Sequence, residues 1–344
     1  MEMKTRKNYI DMLNIIACFA VVCLHCSGAV FNFSVSKLWF CSITIQSIFH
    51  WAVPIFFMIS GATLLNYRDK YTTKEFFKRR ALKVFIPFIF WTIFYAFNKN
   101  NFRLVGGIKY WLEVFLNNRA SNILWFLYSI MSIYLCIPIL SLITKEENKN
   151  IVLYYIILCF TNVSLIPLFV KLTNVEVTQM LIPPITFEYT GYVLLGWYLS
   201  RFELSQKSRY RFYFLGVISV FMMIFGTFYL SKDSYQLDLF VMRYFSFSCL
   251  FMSIAVFVFA KYSSFIELCF LKNKTKNIIR TMSSLSFGIY LIHILTIEYL
   301  PLVFKMVNVN SGWFMIYGPF LIYFVTALIV FIIKKIPILN KIIP

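Results

Sequence analysis

The chain has 344 residues, of which 60% are hydrophobic, 20% aromatic and only 14% charged. So little charge excludes a soluble globular domain of this length, and apolar runs of spanning length recur from end to end. The formal net charge of +19 does not point to nucleic acid: Lys and Arg fall in short clusters in every second connection between apolar runs, the positive-inside pattern. A cationic face of this kind meets anionic lipid headgroups and leaves room for an anionic cytosolic cosubstrate.

Ten spans are predicted, at 8–30, 41–66, 84–98, 123–143, 150–170, 184–200, 212–230, 239–260, 281–303 and 313–333. They describe an all-α polytopic membrane bundle, one membrane-embedded domain over 1–344, with both termini cytosolic. With that topology 24 of the 33 Lys and Arg lie in cytosolic segments and eight in outward connections, while Arg243 falls inside a span. The basic start (Lys4, Arg6, Lys7) leads into a run longer than a signal h-region and without a small-residue cleavage site, so the first span is expected to be retained. Loop 67–83 reads as partly helical and amphipathic. Loop 99–122, with Gly106-Gly107, Tyr110 and Trp111, reads as re-entrant or interfacial, and 261–280 as a helix on the membrane surface.

The first span carries unusual polarity. Asp11, Asn14, Cys18 and His25 are spaced 3, 4 and 7 apart and share one helical face. His25 lies roughly 25 Å along the axis from Tyr9. Ionisable groups at such depth are costly and mark functional candidates. Cys23 and Cys26 flank His25 as C-L-H-C, but one Cys pair and one His without a second pair make no metal site, and none is expected. The eight cysteines have no disulfide-framework spacing either.

The other two histidines are also intramembrane, His50 roughly 14 Å and His293 roughly 18 Å into their spans. If their helices are neighbours, the three imidazoles converge; taken singly, each equally suits a bond to a backbone carbonyl. Glu188, Arg243 and Glu298 also fall within spans: Glu188 and Arg243 are expected to pair, or Arg243 to snorkel outward, and Glu298 suits the outer interface. Arg79, Arg80 and Lys83, just ahead of Ile86-Pro87, form a basic patch that is either a lipid-binding topology determinant or a clamp for phosphate.

Five segments in order resemble the membrane-bound acyltransferase 3 family of cell-surface O-acyltransferases. They are D-M-L-N-I-I-A-C-F-A-V-V-C-L-H (Asp11 to His25), V-P-I-F-F-M-I-S-G (Val53 to Gly61) and F-F-K-R-R-A-L-K-V-F-I-P (Phe76 to Pro87). The others are L-W-F-L-Y-S-I-M-S-I-Y-L-C-I-P-I-L (Leu124 to Leu140) and S-F-G-I-Y-L-I-H (Ser286 to His293). The resemblance implies a bundle of about ten helices, an acyl-CoA donor from the cytosol, and an acceptor hydroxyl on a cell-surface glycan or its lipid-linked precursor. The family usually has Arg eleven residues before the histidine of the first span. Here that position is Asn14, which moves any charge function elsewhere, to Arg79, Arg80 or another residue.

The favoured reading is an O-acetyltransferase for an exported or capsular polysaccharide in a bacterial plasma membrane. Acetyl-CoA phosphates are expected near Arg79, Arg80 and Lys83, with His25 as general base, Asp11 and Asn14 on its helical face, and an oxyanion donor from His50, Ser60 or Asn14. Glu188, Arg243 and His293 complete the expected pocket, and no nucleic-acid partner is expected. A transporter or flippase for a lipid-linked saccharide is the rival, since carriers also use intramembrane His, Glu and Arg, although no repeat symmetry is visible. A non-catalytic partner in glycan assembly is a third reading.

Overall fold

A computed structural model of the protein describes residues 7–101, 103, 106–183, 186, 189–303 and 311–344. These form helices and turns with no strand among them, and eight helical stretches are long and apolar enough to cross a membrane. The first is α1 (Asn8–Cys26), followed by α2 (Lys37–Phe49) and α3 (Ala52–Leu64), which together make one crossing. Next come α4 (Thr73–Arg80) and α5 (Ile86–Lys99), again one crossing, then a short α6 (Ile108–Leu116) and α7 (Trp125–Ile143). α8 (Lys149–Phe160) continues into α9 (Ile166–Thr173), and α10 (Thr190–Arg201) precedes α11 (Gln206–Lys232). The chain closes with α12 (Phe247–Tyr262), α13 (Ser264–Cys269), α14 (Asn273–Val303) and α15 (Gly312–Lys334).

Two of the ten expected spans are shorter than a full crossing. α10, at 12 residues, is roughly 18 Å long, and α12, at 16, roughly 24 Å, against a hydrocarbon core of about 30 Å. α10 survives at this length because it is almost wholly buried among other helices and meets little lipid. Contacts at both ends fix the alternation. At the end where α1 begins (the near end), Lys7 Nζ donates to Ser200 O at 2.8 Å and Lys334 Nζ to Ser284 O at 2.9 Å. At the far end, Tyr299 OH donates to Asn98 Oδ1 at 2.7 Å, and Lys171 pairs with Asp238 at 2.9 Å.

Prolines decide where the crossings are irregular. A proline has no N–H for the carbonyl four residues back and its ring crowds that carbonyl. Ahead of Pro87 the helix widens into a π-type turn over Ala81–Phe85, and ahead of Pro167 into another over Thr161–Leu165. Pro54 leaves the carbonyl of His50 without its helical donor; the α2–α3 crossing breaks at His50 and Trp51, and the Cys249 thiol points at that carbonyl at 3.7 Å.

Loop 67–83 contains α4, and 99–122 contains α6, whose Ile108, Leu112 and Leu116 are exposed along one side, as an interfacial helix requires. The expected surface helix over 261–280 is a correction: only the six residues of α13 stand apart there, and α14 already starts at Asn273. Its basic residues thus begin a crossing instead of lying beside one. Segment 336–344 folds back on the near end, where Trp91 Nε1 donates to Ile342 O at 3.0 Å and Ile343 is fully buried.

Candidate active site

The polar face of α1 is a seam against α14, which runs beside it in the same direction. Ser283 Oγ donates to Asp11 Oδ1 at 2.7 Å, and Asn14 Nδ2 reaches Ser283 Oγ at 3.4 Å. Higher up, Cys18 Sγ donates to Ser286 O at 3.3 Å, and the rings of His25 and His293 stand 5.0 Å apart. Polar residues at helical spacing on both helices therefore face one another over the length of the seam. Between apolar neighbours such a seam sets the register, because any slip strands a buried polar group.

Beside this seam lies a cavity of about 910 Å³, near the upper end of the usual range for ligand pockets. Its near end is walled by Asn14, Ser283, Arg80 and Lys83, and its far end by His25, His50 and Arg243. Among the described residues no Asp or Glu lines it. From Asn14 to His25 the wall climbs eleven residues of α1, roughly 16 Å. His25 is deep in the bundle yet exposed by area, because its ring faces this cavity.

His293 sits behind His25, fully buried, with Nδ1 bonded to Tyr290 O at 2.7 Å. That bond makes Nδ1 the protonated nitrogen and leaves Nε2 with no hydrogen-bond partner. His50 lies in the cavity wall and stacks on Tyr244 at 4.7 Å; neither of its ring nitrogens meets hydrogen-bond geometry, although the Met242 backbone lies beside it. Tyr244 stacks in turn on Trp125 at 5.6 Å, so this end of the cavity is bounded by a column of rings.

The remaining expected residues divide. Arg80 lines the near end, its guanidinium 5.6 Å from the ring of Tyr134 and its Nε without a partner, and Lys83 lines it from the π-type turn. Arg79 does not reach the cavity: it bonds Glu75 at 3.0 Å, one helical turn back, and lies 4.6 Å over Tyr71 on the outside of α4. Neighbouring positions on a helix point about 100° apart, which separates Arg79 from Arg80. Asp11 is buried in the α1–α14 seam behind the cavity wall. Asn14 stands too far along α1 from His25 for both to act on one reacting atom, which removes it as an oxyanion donor beside that histidine. Ser60 lines the cavity, with its hydroxyl donating to Phe56 O at 2.9 Å. Glu188 lies outside the described residues.

One wall residue absent from the sequence reading is Gln46. Its Nε2 donates to Leu24 O at 2.7 Å and to Ser27 O at 3.2 Å, carbonyls at the end of α1 that also accept from the Ser27 and Ser42 hydroxyls. A glutamine within an otherwise apolar run was the available signal. Trp125, Tyr134 and Tyr244 carried no signal, since aromatics are a fifth of this chain.

The family model for an acyltransferase domain, Acyl_transf_3, matches residues 7–335. No curated protein and no solved structure matches the chain significantly. A match over nearly the whole chain, on a bundle of apolar helices around one histidine-walled cavity, makes this protein a multi-pass membrane acyltransferase belonging to the acyltransferase 3 family.

Proposed function

We propose that the protein moves an acetyl group from cytosolic acetyl-CoA to a hydroxyl of a cell-surface or capsular glycan, at the outer side of a bacterial plasma membrane. The observation that carries this reading is the cavity itself: it joins a cationic near end to a histidine at the far end of α1, through the thickness of the bundle. In this reading one membrane-embedded domain does the whole reaction, with the near end cytosolic.

Arg80 and Lys83 bind the donor's phosphates, the guanidinium as a planar fork and the ammonium as a point charge. They take the charge that Asn14 lacks. Asn14, Asp11 and Ser283 hold the α1–α14 seam beside them. The donor supplies a thioester carbonyl. His25 takes the proton of the acceptor hydroxyl as its oxygen attacks that carbonyl; the new C–O bond forms, the C–S bond breaks, and the proton passes to the departing thiolate. His293 fixes the ring of His25 from behind, and His50 lies across the cavity where the developing oxyanion needs a donor.

The test is release of free CoA by purified protein in lipid nanodiscs, with acceptor polysaccharide read by NMR for O-acetyl signals. His25→Ala is expected to lower transfer by at least about 100-fold, the usual scale of general-base removal. Wild-type rates in His25→Ala would sink the assignment, and a carrier of lipid-linked saccharide would release no CoA at all.

A further inference from the structure

The cavity holds three fixed cations in its walls and, among the described residues, no Asp or Glu side chain. Arg80 and Lys83 share the near end and are accounted for by an anionic donor. Arg243 stands apart from them, at the far mouth with Phe31 and Leu239. It is exposed at that mouth, with the Asp238 carboxylate near enough for their charges to interact.

Arg243 belongs to the connection between α11 and α12. Its Nε donates to Phe240 O at 3.4 Å and its guanidinium lies 4.3 Å over the Phe240 ring. Stacking of this kind holds the plane and leaves the edge free to donate. The terminal nitrogens have no hydrogen bond to any described residue. Asp238, the carboxylate nearest in sequence, is committed elsewhere: it accepts from Lys171 Nζ at 2.9 Å and from the Phe240 N–H at 2.7 Å. Burial alone would push its carboxyl up, but those two donors, with the nearby charges of Lys171 and Arg243, hold it below the usual carboxylate range; its hydrogen bonds go to Lys171 and Phe240, and Arg243 meets it only through space. An arginine that merely snorkels turns its head to the headgroup layer; Arg243 is instead exposed as part of the cavity wall, beside His50 and the Tyr244–Trp125 stack.

Resting on the acyl-transfer reading above, we propose that Arg243 binds a negatively charged group of the acceptor, a carboxylate or a phosphate, so that the acceptor is an acidic glycan. The guanidinium fork matches either group with two parallel hydrogen bonds. His25 and His50 line the same far part of the cavity, so an anion held on Arg243 brings a neighbouring sugar hydroxyl toward the imidazoles. A neutral glycan leaves the guanidinium unmatched and loses this alignment.

The test is calorimetric binding to the purified protein in nanodiscs, without acyl donor. The probes are matched disaccharides in three forms: ending in glucose, in glucuronate and in glucose 6-phosphate. At least one anionic form is expected to bind about tenfold or more tightly than the glucose form, and the form that does so separates a uronate from a phosphate acceptor. Arg243→Gln is expected to erase the difference between the forms, while Arg243→Lys keeps part of it. Equal binding of all three forms, no binding by either anionic form, or equal weakening of all forms by Arg243→Gln overturns the proposal. So does a Glu188→Gln variant that reproduces Arg243→Gln, because the arginine would then serve an internal pair. The assay contains no acyl-CoA, so its failure leaves acyl transfer standing, and absent CoA release would sink the latter separately.

Discussion

His25 projects into a cavity that can admit a substrate, whereas His293 is sealed behind it with one nitrogen committed to a backbone carbonyl. Two imidazoles within 5.0 Å are therefore unlike: one is accessible from the cavity and the other is held behind it. Gln46 braces the helix end that carries His25. By donating to the Leu24 and Ser27 carbonyls it ties the last turn of α1 to α2, and the ring of His25 hangs from that turn. Gln46→Leu fills the same space but removes two buried hydrogen bonds, at roughly 0.5–1.5 kcal/mol each, although Ser27 and Ser42 still donate to the same two carbonyls. Its expected signature is a lower melting temperature and a kcat reduced by about tenfold or more, with the KM for acyl-CoA unchanged. A parallel rise in that KM would mean that Gln46 serves the whole cavity.

At the scale of elements, the α3–α10 pair is the tightest joint. A Cβ added at Gly196 would lie 2.0 Å from Met58 O, and one added at Gly61 would lie 1.7 Å from Val193 O. The two backbones touch there, the small-residue packing by which membrane helices associate closely. Because the obstruction is backbone, no rotamer change relieves it. Gly196→Ala is therefore expected to destabilise by about 1–3 kcal/mol or more, while Gly28→Ala, with nothing within 4 Å, serves as the silent control. Thermal unfolding in detergent compares the two. α3 and α10 matter to the chemistry because α3 begins just after His50 and carries Ser60. Prolines act at the same scale. Pro54, Pro87 and Pro138 each stand four residues after a wall residue, namely His50, Lys83 and Tyr134. The break at His50–Trp51 and the π-type turn over Ala81–Phe85 are thus aligned with the cavity, where irregular backbone is tolerated within a membrane, while α7 continues unbroken through Pro138.

For the whole molecule, the alternation of the eight spanning stretches with the shorter α10 and α12 puts 144–149, 201–211 and 261–272 at the near end with the start of α1, and 174–183 and 233–246 at the far end. The excess of Lys and Arg at the near end predicts that this end is cytosolic. In intact cells a membrane-impermeant maleimide is expected to label Glu176→Cys and to spare Lys274→Cys until the membrane is opened. The opposite pattern would invert the route of the donor through the cavity.

Much of this was legible in the chain before any coordinates. Apolar runs and basic clusters specify an all-α bundle because a bilayer forbids unpaired backbone and charge sorts the loops. The polar face of the first span was likewise legible, since helical period alone puts Asp11, Asn14, Cys18 and His25 on one side. What that side meets was not: its partners Ser283, Ser286 and His293 are some 270 positions away, and no local pattern names a neighbour so distant. The same limit hid the split between Arg79 and Arg80, identical in composition and adjacent in sequence, which only the facing of α4 assigns to outside and cavity. Period and polarity decide which residues share a surface; which surfaces close on one another depends on packing, and that is a property of the folded bundle alone.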